Sequence, residues 1–234
     1  MGKDFLTLTD FSAEEILDTL NLAREVKELT KAGNCPQPFR GKTFGMIFHK
    51  PSLRTRISFE TGVYQLGGYS LFITDKEIEL GKRESIADIG RVLSRFLHGI
   101  VIRTFSHQHV EELAEWSSVP VINALTDKYH PCQIMGDLQT ILEHKGRIEG
   151  IKLTYFGDGN NVANSLINAA YRLPIDVTIA CAEDTLPIWK FLTAQRMKES
   201  AASESFTIRL KAQRAPMFST PMSGLPWGRK ICWK

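Results

Sequence analysis

Short apolar runs alternate with amphipathic stretches along most of the chain, and this alternation restricts the fold more than any other feature. Residues 43–48, 69–73, 99–103, 120–123, 153–156 and 176–181 read as strands. Between or before them, residues 11–32, a pattern running through Tyr64 and Leu66, residues 84–96, 110–116, 130–143 and a stretch from Val162 carry helical periodicity. Strands that are short and apolar on both faces must be covered on both faces, and a helix between successive strands is the connection a parallel pair requires. The expected class is therefore α/β, a parallel sheet with helices on both sides. Ser12 and Glu15 are spaced as a capping box for the first helix, whose apolar face takes Ile16, Leu17, Leu20, Leu22, Ala23 and Val26. The helix over 84–96 is expected to bury Ile86, Ile89, Val92, Leu93 and Phe96.

A polar, glycine-containing stretch over residues 145–150 interrupts the pattern, and a new strand–helix unit starts behind it. This divides the chain into a first domain, 1–145, and a second, incomplete one, 146–213. Past residue 200 the pattern fails. Residues 214–234 carry Pro216, Pro221 and Pro226 with no period, which predicts a disordered or aberrant tail. The 234 residues, 43% hydrophobic and 24% charged, suit one large domain or two small ones. A net charge of +3 neither favours nor disfavours a nucleic-acid partner, so any anion must be met by a local cluster. Cys35, Cys132, Cys181 and Cys232 form no C-x-x-C pair, and a reducing cytosol is the default setting. There is no signal-peptide pattern, no run long enough for a membrane span, and no hydroxyl residue to complete a myristoylation signal after Gly2.

Ser52-Leu53-Arg54-Thr55-Arg56 lies between a strand and a helix, where free backbone N–H groups and the helix dipole attract an anion. Two guanidinium groups and two hydroxyls suit phosphate, and the competing reading is a capped helix start with solvent-facing arginines. Arg103 ends the run Ile100-Val101-Ile102, at the strand end where α/β sheets bind ligands. His130-Pro131-Cys132-Gln133 precedes a helix; a His that donates to a carbonyl and a Gln that meets an amide fit an acyl-type substrate. Taken alone, His130 reads as structural and Cys132 as a buried thiol. Gly157-Asp158-Gly159-Asn160-Asn161 opens like a dinucleotide fingerprint but lacks the third glycine, and Asn161 suits a substrate carboxylate or amine. His107 and His109 are read as part of a solvated loop.

Taken in order, these segments resemble the ornithine carbamoyltransferases of the aspartate/ornithine carbamoyltransferase superfamily. Residues 52–56 resemble the carbamoyl phosphate loop S-T-R-T-R, residues 130–133 the H-P-x-Q element, and residues 157–161 the G-D-x-x-N segment. The match runs from Phe5 to about Thr207, and Cys132 with the Asn160-Asn161 pair favours ornithine over aspartate or putrescine. The resemblance implies two α/β domains with substrates in the cleft, a cytoplasmic homotrimer with active sites between subunits, and no metal, organic cofactor, nucleic acid or membrane. It implies that Ser52, Arg54, Thr55, Arg103, His130 and Gln133 hold carbamoyl phosphate, with Leu53, Arg56, Glu79, Pro131 and Cys132 among the further substrate-binding positions. It further implies that Asn161 meets L-ornithine and that Arg103, Thr55 and His130 stabilise the oxyanion as the carbamoyl group passes to the amine, giving L-citrulline and phosphate.

Leu53 stands where the family has Thr, and Glu79 where it has the Gln that a neighbouring subunit lends to the phosphate, with Lys82 or Arg83 available to offset the carboxylate. The family's D-V-W-x-S-M-G and H-C-L-P elements and a late arginine do not occur in the printed residues. Two alternatives follow: an inactive relative that at most binds carbamoyl phosphate, and a carbamoyltransferase for another amine. A nucleotide-dependent oxidoreductase using the turn at Gly157 is a third, opposed by the incomplete glycine pattern. Back-translated and read one base upstream of each codon, residues 214–228 can encode G-A-D-V-L-Y-T-D-V-W-T-S-M-G. Met217 into Phe218 forces Val, and Trp227 into Gly228 forces Gly. The tail is thus expected to be a frameshift product, with the shift a little before Ala215, and the chain alone is expected to form little or no citrulline.

Overall fold

The computed structural model describes residues 2–78, 83–182 and 208–213. A capping box at Thr7 starts a short 3-10 turn, Leu8–Asp10, and a second starts α1 (Ala13–Lys31) at the predicted Ser12. Ser12 Oγ accepts the Glu15 N–H at 3.1 Å and Glu15 Oε2 accepts the Ser12 N–H at 2.7 Å, so two donors at the helix start are satisfied reciprocally. Then follow β1 (Thr43–Phe48), α2 (Arg54–Gln65), β2 (Tyr69–Thr74), α3 (Asp75–Ile78), α4 (Ile86–Phe96), β3 (Gly99–Arg103) and α5 (His107–Trp116). The remainder is β4 (Val121–Leu125), α6 (Pro131–Lys145), β5 (Lys152–Phe156), α7 (Asn161–Arg172), β6 (Asp176–Ala182) and β7 (Ile208–Gln213).

The strands form two sheets, β2-β1-β3-β4 and β5-β6-β7, and every pairing within them is parallel. Successive side chains of a strand point to opposite faces. Ile47, Ile100, Ile102 and Val121 accordingly meet α4 and α5 on one side of the first sheet, through Ile86, Ile89, Val110 and Leu113. Met46, Phe48, Val101 and Ala124 face the other side, with Val63 and Phe59 of α2. The fold is the α/β class read from the sequence, with helices on both faces of the first sheet. The largest core cluster joins Ile16 and Leu20 of α1 and Ile134, Leu138 and Ile141 of α6 to the apolar side chains of α7, β5 and β6. The polar stretch after residue 145 begins at Gly146, which caps α6 at φ 71°, a left-handed conformation that glycine adopts without a Cβ penalty.

Four readings of the sequence need correction. Residues 208–213 are a parallel strand on β6, in register Val177↔Ile208, where the pattern was expected to have failed. A strand of alternating Ile-Arg-Leu-Lys-Ala-Gln gains its identity from the neighbour that supplies its backbone partners. Val92 and Phe96 are exposed, at 51% and 73%. Helix α4 meets α5 through Gly90, where a Cβ would lie 3.2–3.3 Å from Trp116 and Ser117, so the contact line runs through Ile86, Ile89 and Gly90 instead. Leu22 of α1 is likewise exposed, because α1 meets α6 along Ile16 and Leu20. His107 and His109 belong to α5 rather than a loop, and His107 is buried. Glu79, Lys82 and the tail 214–234 lie outside the described residues.

Candidate functional site

In the first sheet β1 runs on to β2 on one side while β3 lies on its other side, so the connections leaving β1 and β3 diverge at their C-terminal ends. Such a switch point opens a crevice in a parallel sheet. The loop after β1 carries Lys50, Pro51 and Ser52 into α2, and Arg103 is the last residue of β3. The pairing with β4 shifts register there, from Ile102↔Asn123 to Arg103↔Leu125, which leaves Ala124 of β4 as the extra residue. Arg103 Nη1 donates to Thr55 Oγ1 at 3.4 Å, joining the end of β3 to the first turn of α2.

Helix α2 starts with open backbone donors. Its first N–H paired to the preceding loop is that of Ile57, which meets the Leu53 carbonyl at 3.0 Å, and no side chain caps its start. Leu53, 74% exposed, offers no hydroxyl for the purpose. A cleft of about 210 Å³ lies against this start, with His49, Lys50, Ser52, Arg56, Phe72 and Thr74 among its walls. A larger open groove of about 600 Å³ follows one exposed side of α1, from Asp18 to Glu28; its polar groups lie along a single helix and do not converge.

His130 sits just before α6, with φ −137° and ψ 68°, and Pro131 opens the helix. Burial, with a smaller contribution from the Arg103 charge, pushes the His130 pKa down to about 4. At neutral pH the ring is therefore an uncharged donor and acceptor, not an acid. Burial also lowers the Arg103 pKa, yet a guanidinium remains charged. Both side chains keep a buried nitrogen without a hydrogen-bond partner among the described residues, Arg103 Nε and His130 Nδ1. Buried polar atoms are ordinarily paired, so these two orphans, on residues near enough for the Arg103 charge to bear on His130, are groups a ligand can partner.

The remaining candidates divide. Arg56 stacks over the Phe72 ring at 3.5 Å and donates from Nε to Glu60 at 2.9 Å, so part of its charge is neutralised within α2. Arg54 is exposed and makes no hydrogen bond or ion pair among the described residues. Gln133 Nε2 donates to Asp137 Oδ1 at 3.0 Å, which leaves the amide oxygen as the acceptor available to a ligand N–H. Cys132 donates to the Asn123 carbonyl at 3.3 Å, and burial pushes its thiol up to about 12, which removes it as a nucleophile. Asn161 Nδ2 donates to the Thr126 carbonyl at 2.7 Å, again leaving an amide oxygen. Sequence reasoning missed Lys50, which pairs with Asp127 and lies 4.5 Å over the Phe105 ring, although it adjoins the 52–56 motif. It also missed Asp137, one helical turn beyond Gln133, the spacing at which helix side chains meet.

Residues 3–143 match the carbamoyl-P binding domain of aspartate/ornithine carbamoyltransferases, and residues 149–216 match their Asp/Orn binding domain. An ornithine carbamoyltransferase of Syntrophotalea carbinolica is 48% identical over 206 residues, which cover 88% of this chain and 68% of that one. One of Oceanobacillus iheyensis is 50% identical over 192 residues, covering 82% and 60%. The solved ornithine carbamoyltransferase of Pyrococcus furiosus superposes with a TM-score of 0.82 at 42% identity, over 89% of this chain and 67% of that one. The matched part thus spans about three fifths to two thirds of the length of these relatives. With both domain matches in order and relatives about half identical along most of its length, this chain belongs to the aspartate/ornithine carbamoyltransferase family.

Proposed function

We propose that the crevice at the end of β1 and β3 binds carbamoyl phosphate and that the reaction it serves is carbamoyl transfer to L-ornithine, giving L-citrulline and phosphate. One observation carries the reading: Arg103, joined to Thr55 at the open start of α2, and His130, near enough to feel the Arg103 charge, each hold a buried nitrogen without a partner among the described residues. The phosphate would lie on the N–H groups of α2 with Ser52, Arg54 and Thr55. The carbonyl would face Arg103, Thr55 and His130, and the amide N–H groups the Gln133 oxygen. When the ornithine amine attacks the carbamoyl carbon, a C–N bond forms and negative charge gathers on the carbonyl oxygen. Collapse breaks the C–O bond to phosphate, and the attacking nitrogen releases its proton. Donors fixed where that charge develops stabilise the transition state without reorganising. The Asn161 oxygen suits the ornithine ammonium group.

The wider reading is a cytoplasmic homotrimer with a carbamoyl phosphate domain over 1–145 and an ornithine domain from 146. The free cysteines Cys35, Cys132 and Cys181 fit a reducing compartment. Among the described residues no helix is long and apolar enough to cross a membrane. The test is calorimetric titration of the purified chain with carbamoyl phosphate. Charge-assisted bonds of this kind are worth roughly 1.5–3 kcal/mol, so Arg103→Ala should weaken binding about tenfold or more. An unchanged affinity in Arg103→Ala would remove the reading. With ornithine added, the chain alone is expected to form little or no citrulline.

A further inference from the structure

The main chain of His130 is held by a helix from the other matched domain. Its N–H donates to Ser165 Oγ at 2.8 Å, and Ser165 Oγ donates onward to the Asn161 carbonyl at 2.9 Å. Ser165 is fully buried, so both bonds are shielded from water. Two neighbours on the same face of α7 grip the same loop. Asn161 Nδ2 meets the Thr126 carbonyl at 2.7 Å, and Asn164 Nδ2 meets the Lys128 carbonyl at 2.9 Å. The spacing of 161, 164 and 165 is that of one helix face, so α7 ties residues 126–130 at three points. These ties also explain polar residues on a helix buried along most of its length. From the other side, Thr126 Oγ1 meets His107 Nδ1 at 3.2 Å and accepts the Tyr129 N–H at 3.1 Å.

The His130 ring Nδ1 has no partner among the described residues; the residue is held at its backbone, where the carbonyl accepts the Gln133 N–H of its own helix at 3.2 Å and the N–H donates to Ser165, the tie that comes from outside α6. We infer that Ser165 is a positioning residue: by fixing the His130 amide it aims the imidazole at the Arg103 and Thr55 groups, so that α7 of the second domain sets how well the first domain recognises a carbonyl. The inference rests on the reading that His130 meets the carbamoyl carbonyl.

Carbamoyl phosphate and inorganic phosphate separate the possibilities, because both present phosphate oxygens and only the first presents a carbonyl. The full chain, Ser165→Ala, His130→Ala and the double variant are titrated with each ligand, and amide hydrogen exchange is read at His130. Ser165→Cys, close in volume but a weak acceptor, is measured alongside. The loss of one buried hydrogen bond is expected to speed His130 exchange and to weaken carbamoyl phosphate binding by about tenfold each. Inorganic phosphate affinity should stay within about twofold, and the double variant should bind no more weakly than His130→Ala. Equal losses for both ligands would make Ser165 merely structural, and additive losses in the double variant would mean that it acts without His130; either overturns the inference. A wild-type chain that binds neither ligand overturns the carbamoyl phosphate reading instead. Exchange at His130 then decides alone, and an unchanged rate in Ser165→Ala overturns the role given to Ser165.

Discussion

Lowering the pH from 7 to 5 should cost this fold about 2 kcal/mol through one buried ring, that of His107. The ring is 5% exposed, packs edge-on against Tyr129 at 4.8 Å and meets Thr126 Oγ1 at 3.2 Å. Burial dominates its titration, and Lys128 adds to the depression. Glu111, whose carboxylate lies 3.5 Å from Nε2, opposes it, and the pKa falls from 6.5 to about 4. The folded state therefore resists protonation that the unfolded chain accepts. Stability is intact above 6.5 and is lost as pH falls towards about 4, where both states are protonated. At 1.36 kcal/mol per unit, the penalty is near zero at pH 7, about 2 kcal/mol at pH 5 and about 3 kcal/mol below pH 4. Urea titrations at pH 7 and pH 5 measure it, comparing the chain with His107→Gln, which keeps a hydrogen-bonding group for Thr126 but cannot charge. His107→Gln should lower stability at pH 7 yet lose about 2 kcal/mol less on acidification. An identical loss in both proteins, or an NMR titration of His107 with a midpoint near 6.5, would refute the argument.

Leu138 is 1% exposed in the core cluster that α6 shares with α1 and α7, and Leu138→Ala should cost about 2–5 kcal/mol by chemical denaturation. A cost under about 1 kcal/mol would mean the two halves do not share that core. Cys35 and Cys132 are both half-buried, but the Cys132 thiol donates to the Asn123 carbonyl and is pushed up to about 12, so it should stay unmodified under iodoacetamide at pH 8 while Cys35 is alkylated, as read by peptide mass spectrometry. Sequencing the gene past the codon for Ala215 should reveal D-V-W, S-M-G and then H-C-L-P in a shifted frame; a downstream sequence with none of these in any frame ends the frameshift reading.

The sequence by itself determined the elements whose signal is local. The capping box of Ser12 and Glu15, the short apolar strands and the order of the three motifs are fixed by neighbours along the chain, and they were enough for the α/β class and the family. Only the tertiary structure decided which faces are buried and which motif residues meet. Val92 and Phe96 continue an apolar periodicity yet face out, because α5 crosses α4 at Gly90. Arg54 and Arg103 look alike as cations, but Arg54 is left exposed while Arg103, the last residue of β3, reaches Thr55 across 48 residues of sequence. The ties of Asn161, Asn164 and Ser165 to the His130 loop span 35–36 residues. No local pattern encodes a hydrogen bond across that separation, because it exists only once α6 and α7 have packed into one core.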